Sequence, residues 1–386
     1  MSGEHIVCFA KDWDDHPTSN NHVMRLLARR NRVLWVSSIG MRRPRASARD
    51  VRRIVRKLGA SLRGPHHVAD GLWVLAPLVL PLPHSELATA LNRRLLRTTI
   101  RRGARRLGMD TFQVWTFLPN TVDYATDLDP TLLVYYCVDD WAHAEGYDGP
   151  ALAALERRLC ARADLVFATS TRLVHAKQRW NANTHLATHG VDHAHFARAL
   201  DPTTPPAPEV ARLAGPVVAV VGLLDERVDA ALLGHLAARR PDWSIALVGR
   251  AHVDLTPLTA AHPNVHVLGH CAYARLPEVL KGCAVGLVPF VVNEYTRHVN
   301  PVKLREYLSA GLPVVSTDLP EVARYGRWCR IGRDPDAFVA AVDAAIATDS
   351  PAERLARSEA MRGETWERRV AAIEDVVDRT RSARAA

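Results

Sequence analysis

At 386 residues, with 48% hydrophobic and 24% charged side chains, the chain has material for two cores and is too apolar for wholesale disorder. No apolar run approaches a membrane span, no basic-then-apolar leader opens MSGEHIVCFAKDWDDH, and the six cysteines form no CxxC pair, which predicts a cytoplasmic protein with reduced thiols and no zinc or disulfide framework. The net charge of +9 is lopsided: residues 1–200 carry +10 and residues 201–386 carry −1, so the first half is suited to an anionic partner.

In chain order, short apolar runs alternate with helical patterns, the signature of parallel sheets joined by crossover helices. Strands are predicted at HIVCFA (5–10), RVLWVS (32–37), LWVLA (72–76), QVWTF (113–117), LLVYYC (132–137), DLVFAT (164–169) and THLATH (184–189). Between them lie two basic amphipathic stretches, VRRIVRKLGASL (51–62) and SELATALNRRLLRTTIRRGARRL (85–107). Residues 25–63 hold thirteen basic side chains against one acid, and 93–106 hold seven against none. No nucleic-acid module accompanies this charge, so an anionic membrane surface or a diphosphate lipid is the expected partner and nucleic acid is not.

The proline-rich DPTTPPAPEV (201–210) cannot continue a helix or a central strand and reads as a linker. After it the alternation restarts with VVAVVG (217–222), SIALVG (244–249), VHVLG (265–269), VGLVPF (285–290) and PVVST (313–317). The predicted organisation is therefore α/β: a Rossmann-like domain over 1–200, a linker over 201–214, a second Rossmann-like domain over 215–350, and C-terminal helices over 351–386 that pack across the junction.

GxGxxG, GxxxxGK[ST], GxSxG and HExxH are all absent, which removes most dinucleotide oxidoreductases, P-loop enzymes and serine hydrolases. Asp12-Trp13-Asp14 is a DxD that could hold Mg²⁺, but the same carboxylates suit a polar loop before a helix. The richest segment is PFVVNEYTRHVNPVKLREYLSAGLPVVST (289–317). Asn300 is suited to an N-cap and Pro301 to the first helical position, with Gly311 and Pro313 ending the helix. Lys303 and Glu306, three apart, project from one face. A helix N-terminus with a lysine beside it binds a diphosphate, and a carboxylate one turn on accepts from a ribose diol. After the second domain's first strand, Gly222 allows close backbone approach and Arg227 is placed to neutralise a diphosphate. The competing reading is a plain surface ion pair and a solvated arginine.

The run N-E-Y-T-x₄-P-x-K-x-x-E-Y-L-x-A-G-x-P-V-V-S-T resembles the donor-binding signature of group 1 glycosyltransferases of the glycosyltransferase-B fold. HGVDHAHF (189–196), VVGLLDERVDAALL (220–233), RPDWSIALVG (240–249) and the 265–290 stretch are similar to other parts of that family, and DWDDHPTSNNHVMRLL resembles members of bacterial surface-polysaccharide and secondary-metabolite assembly. The resemblance implies two Rossmann-like domains facing a cleft. It also implies a nucleoside diphosphate-sugar donor held by Gly222, Arg227, Thr296, Asn300, Lys303 and Glu306, with no metal or other cofactor.

Two positions depart from the family pattern. His298 stands where a second glutamate is usual, downstream of Tyr295-Thr296, and His189 replaces the asparagine of the N-G-V-D element. The overall pattern is nearer to teichuronic-acid-type and lipid-linked glucuronosyltransferase-like enzymes, and it leans to inversion. An inverting transfer needs a base. Asp139 and then Asp140, after the apolar LLVYYC, are the expected pair, with His16 and His22, read as lying in the first strand-to-helix loop, next. Competing functions are a nucleotide-sugar epimerase of the same fold and a non-catalytic nucleotide- or membrane-binding protein.

Overall fold

The computed structural model describes residues 1–13, 18–39, 64–80 and 86–385. It divides into two units: Met1–Thr188 with Arg369–Ala386, and His189–Arg368. The expected helix at 51–62 lies outside the described residues.

The first unit is built on β1 (His5–Phe9), β2 (Arg32–Val36), β3 (His66–Ala69), β4 (Leu72–Leu75), β5 (Gln113–Thr116), β6 (Leu133–Cys137), β7 (Leu165–Ala168) and β8 (Thr184–Leu186). They form one sheet in the order β3-β4-β2-β1-β5-β6-β7-β8, parallel except for β3 against β4. Each central strand is an apolar run because helices cover both of its faces. Trp115, Phe117, Tyr136 and Phe167 fill one side with ring centroids 5.2–6.2 Å apart.

The second unit holds β9 (Val217–Val221), β10 (Ser244–Val248), β11 (Val265–Gly269), β12 (Val285–Val288), β13 (Val314–Thr317) and β14 (Cys329–Gly332), all parallel. Their order, β11-β10-β9-β12-β13-β14, is the doubly wound Rossmann arrangement. β9 and β12 are neighbours whose connections leave in opposite directions, so the loops after them flank a topological switch point.

Two boundaries differ from expectation. The proline-rich stretch is part of the second unit: Ala207 and Val210 sit in its core, and the Ala207 N–H donates to Glu278 O at 2.9 Å. Prolines here start a short helix (Pro208–Ala211) instead of marking a solvated linker. The helix Pro351–Ala360 also belongs to the second unit, and only 369–386 joins the first. There the Met1 ammonium meets Asp378 at 2.9 Å, Arg30 meets Glu374 at 2.7 Å, and Arg381 meets Glu4 at 2.6 Å.

Candidate functional site

The loop after β9 opens with Gly222, whose N–H donates to Val248 O at 2.9 Å and whose φ is +140°. A Cβ there would stand 3.3 Å from Lys303 Cε, so the lysine stem lies against bare backbone. Asp225 is buried and grips the Arg227 guanidinium through Nε (2.8 Å) and Nη2 (2.7 Å). That fork fixes the arginine and offsets part of its charge, and the guanidinium lies 5.6 Å over the Phe290 ring.

The loop after β12 is laced to the first. Val291 N–H donates to Arg227 O (2.8 Å), Asp229 N–H donates to Pro289 O (2.8 Å), and Val228 bridges Phe290. Thr296 is fully buried within this second loop. Its hydroxyl donates to Val291 O at 2.5 Å and accepts the Asn293 N–H at 3.0 Å, while its own N–H donates to Asn293 Oδ1. The structure therefore places Thr296 as the pin that shapes the loop.

The helix after that loop runs Val302–Ser309. Pro301 occupies the cap position and no side chain caps the helix. The expected capping role of Asn300 is corrected: its amide is drawn into a buried network instead. Arg305 Nη1 donates to Asn300 Oδ1 (2.7 Å), and Asn300 Nδ2 donates to Glu321 Oε2 (3.2 Å). Arg305 Nε reaches Glu364 at 3.3 Å, and the Tyr325 hydroxyl donates to the same carboxylate at 3.1 Å. A charged guanidinium buried this deeply needs every acceptor nearby, which outcompetes a cap.

Lys303 Nζ donates to Glu306 Oε2 at 2.6 Å, with the two side chains 21% and 9% exposed. Below them the Tyr307 hydroxyl accepts the Val221 N–H at 2.8 Å, and its ring packs on Gly286, where any Cβ would collide. The helix is thus bolted to the carboxyl end of β9 and to the body of β12. Tyr273, which sequence reasoning did not single out, stacks on His195 with centroids 4.6 Å apart. Burial, then the nearby charges of Glu306 and Asp192, hold its hydroxyl above the ordinary phenol range, so it stays protonated. Chemically, this corner presents an uncapped helix N-terminus, a lysine, and a carboxylate one turn later, a combination suited to a diphosphate and a diol.

In the first unit, Asp139 and Asp140 follow β6 at its carboxyl end. Asp139 is half-buried and Asp140 is buried. Asp140 Oδ2 lies 2.7 Å from His143 Nδ1, on a half-exposed ring that the sequence reading missed. This pairing sets the tautomer: a proton on Nδ1 leaves Nε2 as the acceptor. The only signal available in sequence was the three-residue spacing. His22 is not in the loop as expected but inside the helix Ser19–Ala28, whose capping box at Thr18 and Asn21 starts it earlier, and His16 and Asp14 lie outside the described residues. Among the described residues no three His, Cys, Asp or Glu side chains gather as a metal cage.

Residues 215–348 match the family described as glycosyl transferases group 1. Over those residues, about a third of its length, the chain is similar to group 1 glycosyltransferases. Over 211 residues it is 25% identical to TuaH of Bacillus subtilis strain 168, a glycosyltransferase assigned by its name to teichuronic acid biosynthesis; that stretch is 50% of this chain and 52% of TuaH, so the chain matches about half the length of this relative. Sucrose-phosphate synthase from Thermosynechococcus elongatus superposes with a TM-score of 0.71 at 14% identity, covering 98% of this chain and 100% of that one. HepE of Anabaena, solved with UDP-glucose, gives 0.67 at 14% identity over 97% and 99%. These likenesses show the glycosyltransferase-B fold, and the Lys303–Glu306 helix lies within the matched residues 215–348.

Proposed function

We propose that the protein transfers a glycosyl group from a nucleoside diphosphate-sugar to a hydroxyl acceptor, with no metal. One observation carries this reading: the Lys303–Glu306 pair on an uncapped helix N-terminus, beside Gly222 at the β9/β12 switch point. The family match and the UDP-glucose bound by HepE support it. The acceptor in this reading is a surface-polysaccharide or lipid-linked glycan precursor, or a secondary metabolite; the teichuronic acid biosynthesis in TuaH's name supports the first of these.

In this reading the helix N-terminus and Lys303 hold the diphosphate, Glu306 accepts from the ribose hydroxyls, and Arg227 stands by the leaving group. The acceptor oxygen forms a bond to the anomeric carbon as the bond to the β-phosphate oxygen breaks. The nucleoside diphosphate leaves with that electron pair, and the backbone N–H groups and cations offset its charge. The acceptor proton passes to a strand-end base: Asp139 directly, or His143 Nε2 with Asp140 holding its other nitrogen. An enzymic base of this kind fits transfer with inversion.

The test is release of nucleoside diphosphate from a panel of sugar donors with an acceptor extract, in EDTA, with the product's anomeric configuration read by NMR. Turnover in EDTA with an inverted product is expected. Loss of turnover restored by Mn²⁺ would move the argument to Asp12. An isomerised sugar from donor alone would favour the epimerase.

A further inference from the structure

The helix Glu86–Arg106 has three sides with different fates. One packs into the first unit through Ala88, Leu96, Ile100 and Ala104. A second faces its neighbours: Arg93 forks onto Asp127 at 2.5 and 2.7 Å, and Arg101 donates to Leu128 O. The third carries Leu87, Leu91 and Leu95, at i, i+4 and i+8, exposed by 84%, 47% and 37%. Asn92 accepts the Leu80 N–H (2.8 Å) and donates to Leu80 O (2.9 Å), which ties a second exposed segment, Leu78 and Leu80, to the same helix. Five of the ten exposed large aliphatic side chains among the described residues thus fall between 78 and 95. Scattered exposed leucines are ordinary, but a ridge of this kind marks a contact surface.

The ridge is set among cations. Arg94, Arg102 and Arg105 are exposed on the same helix and make no ion pair among the described residues. Apolar side chains standing out from a basic helix match one partner, a bilayer with anionic headgroups: the leucines enter the acyl boundary and the arginines meet phosphate. Nucleic acid would use the arginines and leave the leucines in water. No helix among the described residues is long and apolar enough to cross a membrane.

We infer that the face bearing Leu78, Leu80, Leu87, Leu91 and Leu95 docks the first unit on an anionic lipid surface. This deepens the reading of a lipid-linked acceptor but does not depend on catalysis, so it fails or stands apart from the donor site. The full chain is sedimented with vesicles of phosphatidylcholine alone or doped with phosphatidylglycerol. Wild type is expected to pellet with the anionic vesicles, less at high salt, and weakly with neutral ones. Leu87→Ser/Leu91→Ser and Arg94→Glu/Arg102→Glu are each expected to cut binding at least about tenfold, since each basic residue at such a surface contributes about fivefold. Melting temperature and nucleotide affinity should stay at wild-type values. Wild type left in the supernatant, or wild-type binding by either double variant, overturns the inference. A wild-type dimer that the leucine variant dissociates, without vesicle binding, overturns it too and assigns the ridge to a second copy.

Discussion

Replacing Lys303 by methionine removes one charge while keeping the stem that lies over Gly222. The ammonium sits 2.6 Å from Glu306 and is 21% exposed, so part of its field reaches any anion at the helix N-terminus. A charge-assisted hydrogen bond contributes about 1.5–3 kcal/mol, so nucleoside diphosphate affinity should fall about 10- to 150-fold. Glu306→Gln should lose a similar amount, because an amide oxygen and an amide nitrogen cannot both accept from two hydroxyls. The fold should lose only about 1 kcal/mol in either variant, since the pair keeps one wet end. The double variant should lose less than the sum, because the residues hold one another. Isothermal titration of each variant, with a thermal melt beside it, reads both quantities. Wild-type affinity in both single variants, with melts unchanged, would falsify the assignment of this corner to the donor.

Three further outcomes are expected. Asp139→Asn should slow turnover about 10²–10⁴-fold if Asp139 is the base. If His143 is, then His143→Ala and Asp140→Asn take that loss; no tenfold loss in any of them, or a retaining product, removes the base from this strand end. Lys177→Met should cost about 3–5 kcal/mol in a urea melt, because it strands Glu156, buried and bonded to Lys177 at 2.7 Å and Tyr135 at 2.6 Å; a loss below about 1 kcal/mol would mean that water reaches this pair. Burial pushes the Cys160 and Cys283 thiols up to about 12, so above the ordinary thiol range the unfolded chain sheds protons that the fold retains. Stability should therefore hold up to about pH 9 and fall as pH rises toward 12, with a shallower fall in Cys283→Ala, and a slope unchanged by that substitution would refute the cause.

Ten strands buried on both faces declared themselves as apolar runs, and the half-exposed edge strands β8 and β11 were also legible, from THLATH and VHVLG. β3 and β14 were not. Both are edge strands with exposed or polar positions, HHVA and CRIG, and carry no such run. Lys303 and Glu306 were legible because three-residue spacing on a helix is a local rule. Asn300 was misread because its partners, Arg305, Glu321 and the Glu364 beyond them, come together only in the folded unit. Tyr273 was missed for the same reason, since it matters through a stack on His195, whereas His143 is only three residues from Asp140 and was missed because the pair sits in a turn, where that spacing carries no helical rule. The linker was misplaced because proline-rich composition also describes a packed turn leading into a short helix.

The decisive measurement is thermal denaturation of the intact protein in EDTA with uridine, guanosine, adenosine and thymidine diphosphates. At 100 times its dissociation constant, the matching nucleotide should stabilise the native state by about 2.7 kcal/mol. The melt should therefore rise for at least one of the four in wild type, and by much less in Glu306→Gln. A melt that none of them shifts, alone or as the sugar conjugate, would contradict a nucleotide-sugar site at the β9/β12 switch point.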